Sequence, residues 1–312
     1  MRRTHLRLAL ALAVAVVAAV GASPAPAGVH GTASFACTPA AFDSLSALTG
    51  SGTVRALGGT LRTEKDTERL TGGPDGQKTP GKPTAGTIPV YFHVVYASNG
   101  TGNVSQADVE EQIDVLNITF GGMTTGYDTG FRFRLAGVDR TQNNAWFAQA
   151  TFEDEVAMKS ALKVGGSAAL NIYSTSGGGF LGWAYYPQIT SSNQFGVLDG
   201  VVINFGSMPN GPIANYNLGY TATHEVGHYL GLPHTFEKGC IGHGDYIDDT
   251  PFMLVPTSGC PTDGTKDTCP EPGFDPIHNY MDYSYDICYT EFTQGQAERM
   301  QKQYAHWRLK RV

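Results

Sequence analysis

Charge is scarce in this sequence: Asp, Glu, Lys and Arg make up 16% of 312 residues, with 21 basic side chains against 28 acidic. A basic footprint for nucleic acid is missing, so no nucleic-acid partner is expected. After residue 20 no apolar run approaches the roughly 20 residues that a bilayer-spanning helix needs, and the mature chain is expected to carry no membrane span. There is no internal repeat. Cysteine is sparse as well, five in all, four of them in the C-terminal quarter. What is present suffices for a core: 41% apolar and 11% aromatic residues exclude a wholly disordered chain.

The scarce charge is unevenly spread. Residues 86–312 hold 12 basic and 23 acidic side chains, the first 85 hold 9 and 5. Arg2, Arg3 and Arg7 precede an unbroken apolar run of 13 small residues, Leu8 to Val20, followed by alanine-rich cleavage sites up to Ala27. That layout is a secretory signal peptide over residues 1–27, and it places the mature protein outside the cell. Export allows two disulfides among Cys240, Cys260, Cys269 and Cys288, in any of three pairings, and leaves Cys37 as the odd thiol. From Gly58 to Thr87 the chain turns to Gly, Thr, Pro, Lys and Glu and cannot bury enough surface to order itself. Residues 28–87 are therefore expected to be a short pro-segment and linker, and 88–312 a single folded domain.

Within 88–312 the patterns alternate between strand and helix. Ile88–Tyr96 is dense in β-branched and aromatic residues, a buried strand. Ser105 caps a helix with Val109, Ile113, Leu116 and Phe120 on one face. Phe131–Val138 reads as a strand with one wet face, Glu153–Val164 as a second amphipathic helix, and Leu170–Tyr173 and Val201–Phe205 as short strands. Thr293 with Gln296 forms a capping box for a final helix. The expected fold is α+β, a twisted mixed sheet backed by helices. Gly179-Phe180-Leu181-Gly182-Trp183-Ala184, stopped by Pro187, suits a sheet edge that could accept an extended peptide as a further strand.

The decisive segment is His224-Glu225-Val226-Gly227-His228-Tyr229-Leu230-Gly231-Leu232-Pro233-His234. On a helix, capped by Thr221 or Thr223, His224 and His228 share a face and aim at one ion. Gly231 lets the chain leave the helix, and the bend returns His234 to the same point. Three neutral imidazoles suit a catalytic zinc with an open position, and Glu225 beside them suits a general base. That is chemistry for peptide-bond hydrolysis. His93, His243, His278 and His306 fall outside the motif and are assigned no metal.

HExxHxxGxxH is the metzincin signature, and Asn279-Tyr280-Met281-Asp282-Tyr283 supplies the accompanying Met-turn. With Asp245-Tyr246-Ile247-Asp248-Asp249-Thr250-Pro251, Gly259-Cys260-Pro261 and Phe292-Thr293, the region from Leu218 to Met300 closely resembles the pappalysin family, in its compact secreted microbial (cytophagalysin- or ulilysin-like) branch. The resemblance implies a metzincin catalytic domain with an irregular, disulfide-braced lower part. It implies a zinc endopeptidase acting on protein or peptide substrates, with His224, His228 and His234 as ligands and Glu225 as base. Met281 becomes the floor beneath the metal and Tyr283 a stabiliser of the oxyanion. Alternate cysteines pair, Cys240–Cys269 and Cys260–Cys288. Structural calcium is implied in the acidic stretch 237–291, with Asp245, Asp248 and Thr250 as ligands, and latency through a thiol, for which Cys37 is the candidate. A monomer is expected. The alternatives are an astacin-like branch, which the cysteine pattern disfavours, and a catalytically silent zinc- and calcium-stabilised binding module. In the loop after Met281, Asp286 would favour a basic substrate side chain and Ile287 an apolar one.

Overall fold

The structure, a computed structural model, describes residues 82–191 and 195–309. The expected signal peptide, nearly all of the expected pro-segment and linker, and Cys37 lie outside the described residues. Among those residues no helix is long and apolar enough to cross a membrane.

Five strands form one mixed sheet in the order β2-β1-β3-β5-β4. They are β1 (Thr87–Tyr96), β2 (Arg132–Gln142), β3 (Leu170–Thr175), β4 (Gly182–Ala184) and β5 (Val201–Asn204). The first three and β5 pair in parallel, and β4 closes the edge antiparallel to β5. β1 is rich in β-branched residues because both its faces are covered. Ile88, Val90, Phe92 and Val94 join the main core, while Val95 packs on the other side with Met158, Tyr173 and Val202. β2 runs four residues past the expected end. A bulge at Ala136 keeps it paired with β1 to the last residue, Tyr96 opposite Gln142.

The capping box at Ser105 is present. Its hydroxyl accepts from Asp108 N at 3.1 Å and Asp108 accepts from Ser105 N at 2.7 Å, starting α1 (Gln106–Phe120). The short α2 (Asn144–Ala148) has no apolar periodicity and was not legible. α3 (Phe152–Leu162) starts at a second capping box, Thr151 with Asp154, and ends two residues before Val164, since Lys163 is extended. Its inner face is not apolar throughout, as amphipathicity would require: Glu155 and Lys159 are buried beside Met158 and tolerate it by pairing with each other.

The edge strand is shorter than its sequence suggests. Gly177, Gly178 and Gly179 all take positive φ and form a tight turn, so ladder pairing begins only at Gly182. Pro187 does more than end the segment: it occupies the first turn of α4 (Pro187–Thr190). Beyond the central helix, α5 (Tyr220–Tyr229), the described chain up to α6 (Gln294–Gln303) is built of turns, with one isolated bridge between Asn279 and Glu291. Disulfides Cys240–Cys269 and Cys260–Cys288 brace it, with Cα atoms 5.5 and 5.3 Å apart. α6 opens with the expected capping box, Thr293 with Gln296.

Candidate metal centre

α5 carries the first two histidines, and its start corrects a sequence expectation. Neither Thr221 nor Thr223 caps it. Both lie inside the helix and are buried, and Thr223 bonds Thr119 of α1 at 3.0 Å. The entry residue is Gly219, whose φ of 85° makes the sharp turn. A remote carboxylate does the capping: Asp286, 2% exposed, accepts from Leu218 N at 2.8 Å and from the Tyr220 amide. Negative charge is favoured at a helix N-terminus. Burial still pushes the Asp286 carboxyl up to about 7. Ile287, beside it, is 78% exposed.

The other end of α5 is built as the motif requires. Gly231 has φ 97°, and Leu232 N donates to Gly227 O (3.0 Å) and Gly231 N to His228 O (2.9 Å), a Schellman ending. A side chain at Gly231 would stand 2.7 Å from Gln303 Cγ, so α6 lies directly against the turn. Two buried guanidiniums take the remaining carbonyls. Arg308 donates to Tyr229 O from Nε (3.1 Å) and Nη2 (2.9 Å), and Arg299 donates from Nε to Gly231 O (2.9 Å). Arg308 also lies over the Tyr229 ring and is paired with Asp199 at 2.9 Å. Neither arginine has a sequence signal that links it to the motif.

The turn brings His234 back to the helix. His228 Nε2 is 3.1 Å from His224 Nε2 and 3.0 Å from His234 Nε2. His224 donates its Nδ1–H to Tyr280 O and His228 donates its own to Leu232 O, both at 2.7 Å. Those bonds place the ring protons of His224 and His228 on Nδ1 and turn their Nε2 lone pairs toward each other and toward His234. Facing lone pairs cannot hydrogen-bond each other, but they fit a cation with N-ligand bonds of about 2.0–2.1 Å, as zinc has. Burial lowers the pKa of all three histidines, that of His228 to about 4, which keeps them neutral and ligand-competent.

Glu225 is fully buried next to this cluster, and neither carboxylate oxygen has a hydrogen-bond partner among the described residues. Burial pushes its carboxyl well above the usual range. β4 passes close by: a side chain at Gly182 would reach within 2.9 Å of Glu225 Cγ. The remaining residues gather as well. The Met281 sulfur lies under Gly227, leaving no room there for a side chain. Thr235 N donates to Met281 O at 3.2 Å. Asn279 holds the Met281 amide (3.0 Å) and exchanges two 2.8 Å bonds with Gln296 of α6. Tyr283 Oη is 3.1 Å from His234 Nε2. Phe236, two residues after His234, stacks on that ring at 4.7 Å; no role is expected for it from the sequence, although its spacing from the motif is visible there.

The acidic loop is arranged differently. Asp245 and Thr250 are buried and bonded to each other (2.7 and 2.8 Å), Asp245 also accepts from Ile247 N (3.0 Å), and Asp248 is exposed. Burial pushes Asp245 up to about 7. Asp249 instead serves α6, accepting from Thr293 Oγ1 and Gly295 N. A second group with metal-ligand spacing, Cys240, Cys269 and Glu271, offers no thiolate because its cysteines form a disulfide.

Comparison with known proteins matches residues 170–305 to a family described as pregnancy-associated plasma protein-A. An extracellular metalloprotease of Sordaria macrospora is 44% identical over 226 residues, covering 71% of this chain and 75% of that protein. One from Pyricularia oryzae is 45% identical over 227 residues, covering 71% and 76%. Among solved structures, mature mirolysin of Tannerella forsythia in complex with a cleaved peptide superposes with a TM-score of 0.63 at 30% identity, covering 73% of this chain and 97% of that one. A promirolysin mutant from the same organism gives 0.66 at 28% identity, covering 85% and 92%.

Proposed function

The chain belongs to the pregnancy-associated plasma protein-A family of peptidases, the pappalysins, and on that premise we propose that it is a secreted zinc endopeptidase. The observation that carries the reading is the convergence of three histidine Nε2 atoms beside the buried carboxylate of Glu225, whose oxygens have no hydrogen-bond partner among the described residues. His224, His228 and His234 would hold the zinc. When bound, zinc supplies a Lewis acid that polarises the scissile carbonyl and lowers the pKa of water to about 7.

The rest is work for the chain's own groups. Glu225 takes the proton of the attacking water on its carboxylate and passes it to the leaving amine. Its burial raises the carboxyl's proton affinity, which suits that relay. Tyr283 reaches the same point through its hydroxyl and donates to the substrate carbonyl oxygen as charge develops there. Met281 packs beneath the ligands. The peptide lies extended along β4 and the residues leading into it, Gly179 to Ala184, with its backbone pairing to the free edge.

We propose the same division of the chain as its sequence suggests: a signal peptide over 1–27, a pro-segment and linker over 28–87 and one monomeric catalytic domain over 88–312. Latency rests on Cys37, so Cys37→Ala should release activity early; a variant that stays latent removes that role. Calcium beside Asp245, Asp248 and Thr250 is supported by the acidity of the loop and by the side-chain oxygens of Asp245 and Thr250, which lie within 2.8 Å of each other. A rise in melting temperature on adding calcium to chelator-treated protein tests it.

The main test is mass-spectrometric digestion of a peptide library, with and without a zinc chelator, beside Glu225→Ala. Cleavage that the chelator stops and that falls by 10²-fold or more in the variant is expected. Zinc-loaded protein that cuts nothing after linker removal would instead identify a silent binding module.

A further inference from the structure

The face of β4 turned away from Glu225 is held by a buried ion pair that the proposed chemistry does not use. Lys159 Nζ, with its side chain 0% exposed, lies 2.7 Å from Glu155 Oε1 one helical turn earlier on α3. Trp183 Nε1 donates to Glu155 Oε1 and Tyr185 Oη to Glu155 Oε2, both at 2.8 Å. Lys159 also donates to Leu198 O (2.7 Å) and Gly200 O (3.3 Å), just ahead of β5, and its ammonium sits 5.1 Å from the centre of the Tyr185 ring. One carboxylate therefore grips β4 at Trp183 and the residue that follows the strand, Tyr185, while its partner grips the segment that leads into the neighbouring strand.

An apolar packing would bury the same area without taking two charges out of water. What the pair adds is direction: both oxygens are engaged, Oε1 by Lys159 and Trp183 and Oε2 by Tyr185, so Trp183 and Tyr185 have one height and one register relative to α3. That matters because β4 has only three ladder residues, Gly182 opposite Ile203, Trp183 opposite Val202 and Ala184 opposite Val201. Gly182 has almost no clearance from Glu225, Val202 O and Thr221. A small slip of so short a strand would move its free edge relative to the cluster of histidines.

We propose that Glu155 and Lys159 are positioning residues that set the register of the substrate-binding edge, and so the affinity for extended peptides. The inference rests on the reading that β4 receives the peptide. Its substrate class follows: peptides long enough to pair along β4 depend on the pair, whereas short peptides that span little beyond the scissile bond do not.

The test uses Glu155→Gln and the double variant Glu155→Gln/Lys159→Met, which leaves no unpaired charge and so guards against simple misfolding. With matched long and short peptides, KM for the long one should rise about tenfold, the worth of one or two hydrogen bonds. kcat for both peptides, KM for the short one and zinc content should stay within twofold. Equal losses on long and short peptides, or a double variant that behaves as the parent on both, would overturn the assignment. The dissociation constant of the long peptide, measured in a Glu225→Ala background with and without Glu155→Gln, reads the same effect without turnover. Parent protein that cuts neither peptide while the Kd still shifts would refute the protease reading and leave the positioning role standing.

Discussion

The two halves of this molecule reach order by different routes. Residues 82–229 place apolar side chains at strand and helix periods and bury them in continuous clusters on both faces of one sheet. Residues 230–293 have turns instead, two disulfides and a set of buried carboxylates tied to backbone amides, among them Asp245, Asp282 and Asp286. The candidate metal centre is shared. The sheet half contributes two histidines and Glu225 on α5, and the irregular half contributes the third histidine, Met281 and Tyr283. A regular scaffold therefore fixes Glu225, while the irregular half completes the site from parts whose positions depend on covalent and polar ties.

That contrast can be broken from one side. Each disulfide closes a loop of nearly thirty residues, and removing one should cost about 3 kcal/mol. Replacing Cys240 and Cys269 by alanine should lower amide-exchange protection across 235–290 well before β1 and β3 lose theirs. Simultaneous loss in both halves would mean that they unfold as one unit.

A second prediction acts where the halves meet, at Asp286 beneath the start of α5. Its folded pKa of about 7 lies above the unfolded carboxylate value. Between about pH 4 and 7 the folded state holds the proton more tightly, so this group's contribution to stability is lost as pH rises through that window. Urea denaturation should show a fall on the order of 2 kcal/mol across it, and Asp286→Asn should flatten the slope. A variant with the parent slope would place the pH dependence elsewhere.

The smallest expected effect lies wholly in the sheet half. Ser105→Ala removes one acceptor of an exposed capping box and should cost about 1 kcal/mol with no change in zinc content. A loss of zinc in that variant would show that the halves are coupled more tightly than their packing implies.

Legibility in the sequence followed the same division. Strand β1, helix α1 and the C-terminal turn of the histidine motif could be read because periodicity, capping chemistry and a glycine at a left-handed turn are local signals. The cap on α5 could not, since Asp286 lies 68 residues beyond Leu218 and nothing nearby marks it as a cap. Arg299, Arg308 and the charged inner face of α3 escaped for a related reason: a buried charge looks like a solvated one until its partner is located. The disulfide pairing was open on spacing alone, and the family resemblance gave the pairing that the structure contains.

The clamp on the end of α5 also has a meaning in time. Arg299 and Arg308 reach it from 68 and 79 residues further along the chain. A helix forms within about a microsecond, whereas contacts between distant segments wait for the intervening chain to be in place. The turn that carries His234 therefore receives its clamp only when the segment after residue 293 has docked. The geometry of the third histidine is therefore tied to a segment that lies more than sixty residues away in sequence.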